Sequence, residues 1–301
     1  GIGVHGRAAL LRLFGTAERI FEMKERDYLA AEGFECRWLE SLLDKSLDEA
    51  EKILIECDDK SIRLVTYADG AYPSRLRNIS DPPALLYYCG TLPDFDNEAV
   101  IGVIGSRRCS AYGLLHAKQF SKLIASSGGL VVSGGARGID SMALRGALDS
   151  EMPVACVLGC GVDVVYPPEN RELFRQIAAH GCLLSEYRPG TRPDRGNFPV
   201  RNRIISGLSD AVLVMEARLR SGSLITADMA LEQGKDVYAL PGSLDSPLSA
   251  GCNQLIQQGA GILLNPENLL EEWGIETNVL CRNTEIKNEK NKKVLDKTLP
   301  V

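Results

Sequence analysis

Two glycine-basic turns carry the most legible chemistry in this sequence: Gly105-Ser106-Arg107-Arg108 and Ser133-Gly134-Gly135-Ala136-Arg137-Gly138. The first directly follows the apolar run Ala99-Val100-Ile101-Gly102-Val103-Ile104, and the second follows Leu130-Val131-Val132. Glycine lets a backbone approach a phosphate closely, and a helix opening after such a turn offers free N–H groups to an anion. The arginine in each turn adds a planar, bidentate partner for phosphate oxygens. Arg107 has an alternative use, pairing with a carboxylate of the fold. Two such loops side by side point to a phosphate-rich ligand.

Two further clusters have the same character. In Asn197-Phe198-Pro199-Val200-Arg201-Asn202-Arg203-Ile204-Ile205, an aromatic, a proline and two arginines at i, i+2 precede an apolar helix. Arg201 and Arg203 are expected to grip successive phosphates, and Asn202 to hydrogen-bond a phosphate or a base edge. Phe198 either stacks on a base or, with Pro199, simply anchors the loop. Glu216 then precedes Ser221-Gly222-Ser223-Leu224-Ile225-Thr226, where Ser221, Ser223 and Thr226 set hydroxyls and N–H groups at a helix start.

Other chemistries fit poorly. No GxGxxG opens a helix, and no acidic residue closes a second strand about 20 positions later, which argues against NAD or FAD. No cofactor is expected. Ser133 and Ser185 lack the GxSxG elbow of a nucleophile, and His116 and His180 lie on polar helical stretches. The nine cysteines show no framework or zinc spacing and several sit inside apolar strands, as reduced core thiols do. A binding protein without a metal is expected rather than an enzyme. The net charge of −6 argues against a generic nucleic-acid binder, yet seven arginines face three acids between Arg188 and Arg220. A basic face on an acidic body can hold a polyanion.

The elements that must position these turns follow from periodicity. Residues 1–60 read as short helices joined by Gly-containing turns, resembling a helix-hairpin-helix or SAM-like module or a simple helical cap. Over 61–275, strands at 99–104, 129–133, 153–158, 182–185, 211–215, 236–240 and 261–264 alternate with helices, and the strands are apolar throughout. That pattern calls for an α/β fold with a doubly wound, mostly parallel sheet, ligand loops lying at the strand ends. Residues 276–301 form a polar tail too hydrophilic to bury a core. No apolar run reaches the roughly 18 residues that span a bilayer, and no signal peptide is visible, so a cytoplasmic protein without membrane contact is expected.

Taken in order, these motifs resemble the DNA-processing protein A family (DprA, also called Smf). The resemblance covers about Asp69 to Pro266 and includes Tyr112-Gly113, Arg137-Gly138-Ile139-Asp140, Tyr166-Pro167 with Asn170, Ser185-Glu186 and Pro241-Gly242. It implies an extended Rossmann fold that binds single-stranded DNA, dimerises and helps load the RecA recombinase during natural transformation. The DNA-binding positions it carries over are Arg107 and the Ser133–Gly138 loop, with Arg201-Asn202-Arg203 and Ser221–Ser223 as neighbours. Leu144 stands where the family usually has a histidine, so no role of that histidine transfers. Many members carry a C-terminal winged-helix-like domain, for which the sequence after Trp273 leaves no room. The alternative is a phosphoribohydrolase-like enzyme using the same loops on a single nucleotide. Such enzymes have a glutamate after the second glycine loop, and none follows three residues beyond Gly138 here.

Overall fold

Strands that are apolar on both faces need cover on both faces, and the chain supplies it with helices from each crossover. The structure, a computed structural model, describes residues 2–272. The polar tail expected at 276–301 lies outside the described residues, as does the end of the 61–275 unit.

Helices α1 (Val4–Phe14), α2 (Ala17–Glu22), α3 (Glu25–Leu29), α4 (Leu39–Leu43) and α5 (Asp48–Asp59) come first. Leu10, Phe14, Tyr28 and Trp38 bury together as a small core of their own. Thr16 caps α2 by accepting the Arg19 N–H at 3.2 Å. Helix α5 buries Cys57 against Ile62, Tyr87 and Val162. Lys60, just past its end, ties Glu56 (2.6 Å) to Asp163 (2.5 Å) and so fastens the end of α5 to a loop about a hundred residues further along the chain.

The sheet opens with β1 (Arg63–Thr66), α6 (Ser74–Arg77) and β2 (Leu85–Gly90). The alternating part comes next: β3 (Val100–Ile104), α7 (Ala111–Ser126), β4 (Leu130–Ser133), α8 (Ile139–Leu148), β5 (Val154–Val157), α9 (Arg171–His180) and β6 (Cys182–Ser185). The chain then crosses over through α10 (Asn197–Leu208) to β7 (Ala211–Val214), α11 (Gly222–Glu232), β8 (Asp236–Ala239), α12 (Ala250–Gln257), β9 (Gly261–Ile262) and α13 (Pro266–Glu272). Among the described residues the strands form one sheet, ordered β1-β2-β6-β5-β4-β3-β7-β8-β9. From β6 to β9 every pair is parallel, whereas β2 runs antiparallel to both β6 and β1. The α/β, mostly parallel, Rossmann-like arrangement expected from the sequence is the one found.

Side chains alternate across each strand, so Ile101 and Val103 enter one core with α7, α8 and α9, while Val100 and Ile104 enter another with α10, α11 and α12. Successive strands step away from β3 in one direction through β4, β5 and β6. After the crossover they step away in the other, from β7 to β9. The carboxyl ends of β3 and β7 are therefore the switch point, where open sheets of this type leave a crevice for ligands.

Leu144, the residue in place of the family histidine, is fully buried in the α7–α9 core. Its part is to fill space. Replacing it with alanine should cost about 2–5 kcal/mol of stability, the range for emptying a core leucine site. Urea denaturation checks this; a loss below about 1 kcal/mol would show that the surroundings collapse into the gap.

Candidate nucleic-acid interface

The first glycine-basic turn ends β3 and the second ends β4, and the structure brings them into backbone contact. Gly138 has φ +78°, and a Cβ there would stand 2.5 Å from the Ser106 carbonyl oxygen and 2.7 Å from that of Arg107. Gly105 leaves a similar gap, which the side chain of Ile139 fills from the start of α8. The Ser106 carbonyl accepts the Ile139 N–H at 3.3 Å, closing the seam between the turns.

Asp140 fixes this pair of turns from below. Its carboxylate accepts the Ala136 N–H at 3.4 Å and the N–H of Gly105, one from each turn. Burial pushes its pKa up, and the guanidinium of Arg201 opposes that rise. Arg201 is itself 3% exposed and donates to the carbonyls of Gly134 (2.8 Å) and Val157. Burial lowers its pKa, and Asp140 supports its charged form.

The first turn is also held from the other side. Glu216, at the end of β7 and 2% exposed, accepts the Ser110 N–H and hydroxyl at 2.7 Å each. Its own carbonyl takes the Ser106 N–H at 2.7 Å. Ser110 then caps α7 through the Gly113 N–H at 3.2 Å. No cue in the sequence marks Glu216 for this anchoring role.

Above these turns lies a cleft of about 720 Å³. It is lined by Gly105, Ser106, Phe198, Asn202, Ser221, Gly222, Ser223, Thr226 and six arginines: Arg107, Arg108, Arg195, Arg201, Arg218 and Arg220. Asp140 is the sole carboxylate among the lining residues, and it is occupied by N–H groups of the turns. The N-terminus of α11 opens into the cleft, with Ser221 as its cap accepting the Ser223 N–H at 3.4 Å. Such an end presents unpaired N–H groups and partial positive charge to an anion. Phe198 stands at the edge of the cleft with two guanidinium carbons over its ring, Arg107 at 5.2 Å and Arg201 at 5.9 Å. Those cations hold the ring in place.

Several expected residues lie elsewhere. The segment 197–208 is helical from its start rather than a loop before a helix, because Pro199 falls in the first turn, where a missing N–H is harmless. Side chains two apart on a helix diverge by about 200°. Arg201 therefore lies beneath the cleft floor, 3% exposed and held by the carbonyls of Gly134 and Val157 rather than free to grip a phosphate, while Arg203 turns to the other side, donating to both oxygens of Glu186 at 2.8 Å with both side chains under 10% exposed. The expected grip of Arg203 on a phosphate is thus replaced by a buried ion pair. Ser133 is buried and donates to the Val103 carbonyl at 2.6 Å. Gly134 and Gly135 form the buried start of the second turn, against Arg201 and Cys156 respectively. Arg137 faces a smaller recess beyond Phe198. Conversely, Arg195, Arg218 and Arg220 reach the cleft although no motif marks them as binding residues, the arginine excess between Arg188 and Arg220 being their signal; Arg108 joins them from the first glycine-basic turn.

The sequence profile of the family described as DNA recombination-mediator protein A matches residues 63–274. The chain belongs to that family. Protein Smf of Synechocystis is 42% identical over 278 residues, spanning 91% of this chain and 70% of that protein. DNA processing protein DprA of Bacillus subtilis is 38% identical over 234 residues, 78% of this chain and 79% of the relative. The crystallographic DprA of Streptococcus pneumoniae superposes with a TM-score of 0.72 at 38% identity, covering 79% of this chain and 83% of the other. DprA of Helicobacter pylori, solved to show its single-stranded DNA binding mode, gives 0.64 at 32% identity, covering 70% and 95%. The region matched by the DNA recombination-mediator protein A profile contains both glycine turns and all six cleft arginines.

The buried pair sets one test apart from binding. Arg203→Ala strands Glu186 in the interior and should cost about 3–5 kcal/mol in thermal or urea unfolding. The folded variant should keep its affinity for an oligonucleotide, since Arg203 does not line the cleft.

Proposed function

We propose that the six-arginine cleft holds the sugar-phosphate backbone of single-stranded DNA and performs no catalysis. The observation that carries this reading is the cleft itself: five exposed guanidiniums over the buried Arg201, a helix N-terminus and glycine turns around a carboxylate already taken up by backbone N–H groups. Little in the lining reads base edges, so sequence preference should be weak. The H. pylori relative, described by its single-stranded DNA binding mode, supports the same ligand here. A hydrolase acting on a single nucleotide would need a carboxylate free to act on substrate, and Asp140 is not free.

Membership in a recombination-mediator family supports the further steps: protection of incoming strands in natural transformation and handover to RecA. A homodimer is part of the proposal, with the β9 edge as its surface, where Ile262 and Leu264 are 51% and 76% exposed. The cytoplasm is the proposed compartment; the eight cysteines among the described residues are free, as a reducing environment keeps them. No helix among the described residues is long and apolar enough to cross a membrane.

Fluorescence anisotropy of a labelled oligo-dT tests the reading. Binding should weaken with salt at a log–log slope of about −2 to −3, corresponding to three or four phosphates. Arg107→Ala should lower affinity by roughly tenfold or more and flatten the slope by about 0.7. Absence of binding at low salt, or an Arg107→Ala variant that binds like the parent, would contradict it.

A further inference from the structure

One arm of the cleft is irregular chain. Between β6, ending at Ser185, and α10, starting at Asn197, residues 186–196 form no helix or strand, yet Arg195 of this segment lines the cleft. An arginine on such a connection is costly to order when it binds, because backbone and side chain both lose freedom. Holding the segment in place before a ligand arrives moves that cost into folding.

The loop after β5 does this holding. Asp163 Oδ1 accepts the Gly190 N–H at 2.8 Å, and the Gly161 N–H donates to the Thr191 carbonyl at 2.9 Å. Gly190 has φ +72°, a conformation that favours glycine. The two turns touch so closely that a Cβ on Gly161 would stand 2.6 Å from Asp163 Oδ1 and 2.9 Å from the Gly190 nitrogen. At the far end, Asn197 Nδ2 donates to the Gly159 carbonyl at 3.2 Å. Pinned at Gly190–Thr191 and again at Asn197, the chain keeps little slack around Arg195.

Asp163 is itself braced. Its Oδ2 accepts from Lys60 at 2.5 Å, and its side chain is 17% exposed. Burial opposes its ionisation, but hydrogen bonds from Lys60 and the Gly190 N–H hold its pKa below the ordinary aspartate value. Lys60 lies at the end of α5, and Arg188 donates to Glu49 at the start of that helix, so α5 steadies the same segment from outside.

We infer that Asp163 is a positioning residue for strand binding, holding residues 188–196 so that Arg195 meets a phosphate without a further ordering cost. The inference rests on the single-stranded DNA reading above. Asp163 acts against its own charge. Removing a carboxylate from the protein favours a polyanion by electrostatics, whereas releasing Arg195 disfavours it, so the sign of the effect separates the two.

Oligo-dT anisotropy reads that sign. Asp163→Ala should lower affinity about fivefold, the cost of ordering a long side chain and its loop on binding. Asp163→Asn, which loses the same charge but keeps an acceptor for Gly190, should bind as the parent does. Arg195→Ala should flatten the salt slope by about 0.7, and adding Asp163→Ala to it should cause no further loss. In the unaltered protein, the Gly190 amide should exchange slowly before oligo-dT is added and gain no protection afterwards. An Asp163→Ala variant that binds as tightly as the parent, an equal loss without Arg195, or protection of Gly190 gained only on binding would overturn the role. If the unaltered protein binds no oligo-dT, the single-strand reading itself fails instead.

Discussion

The functional end of the molecule depends on the contact between two glycine turns from adjacent strands. The contact exists because neither turn carries a side chain at the seam, Gly138 facing the Ser106 and Arg107 carbonyls and Gly105 facing Ile139. Asp140 then takes an N–H from each turn, and Glu216 pins the first turn to β7. A carboxylate below a phosphate site would be repulsive by itself. Here it is already engaged by backbone donors and lies in the field of the buried Arg201 guanidinium, so it organises the site while the exposed arginines set its sign.

This arrangement reconciles an acidic protein with an anionic ligand. The chain carries a net charge of −6, yet its acids are concentrated elsewhere, as in Asp48, Glu49 and Glu51 in the first turn of α5. Local potential, not net charge, decides where a polyanion settles, and a crevice focuses that potential. The switch point supplies the crevice, and the crossover from β6 to β7 brings in arginines distant in sequence from the turns.

How much of this is legible in the sequence differs from element to element. The apolar runs and the glycine after each locate β3, β4 and their turns to within a residue, because buried parallel strands leave a plain signal. The segment 197–208 misleads because a phenylalanine and a proline near a helix start look like a loop, and only helical geometry shows that Arg201 and Arg203 must part company. Glu216 and Asp140 are visible as residues but not as anchors, since their partners lie on other strands. The same holds for Arg195, Arg218 and Arg220, countable in the sequence but brought to the cleft only by the crossover.

The most direct test of the central claim is hydrogen exchange of backbone amides, measured with and without saturating oligo-dT. If the cleft at the β3 and β7 ends holds the phosphates, protection should rise at Ser106–Arg108 and at Ser221–Ser223, with little change on the outer faces of α7 and α9. Protection confined to those outer faces or to α1–α5, with the turns unaltered, would show that the strand binds elsewhere.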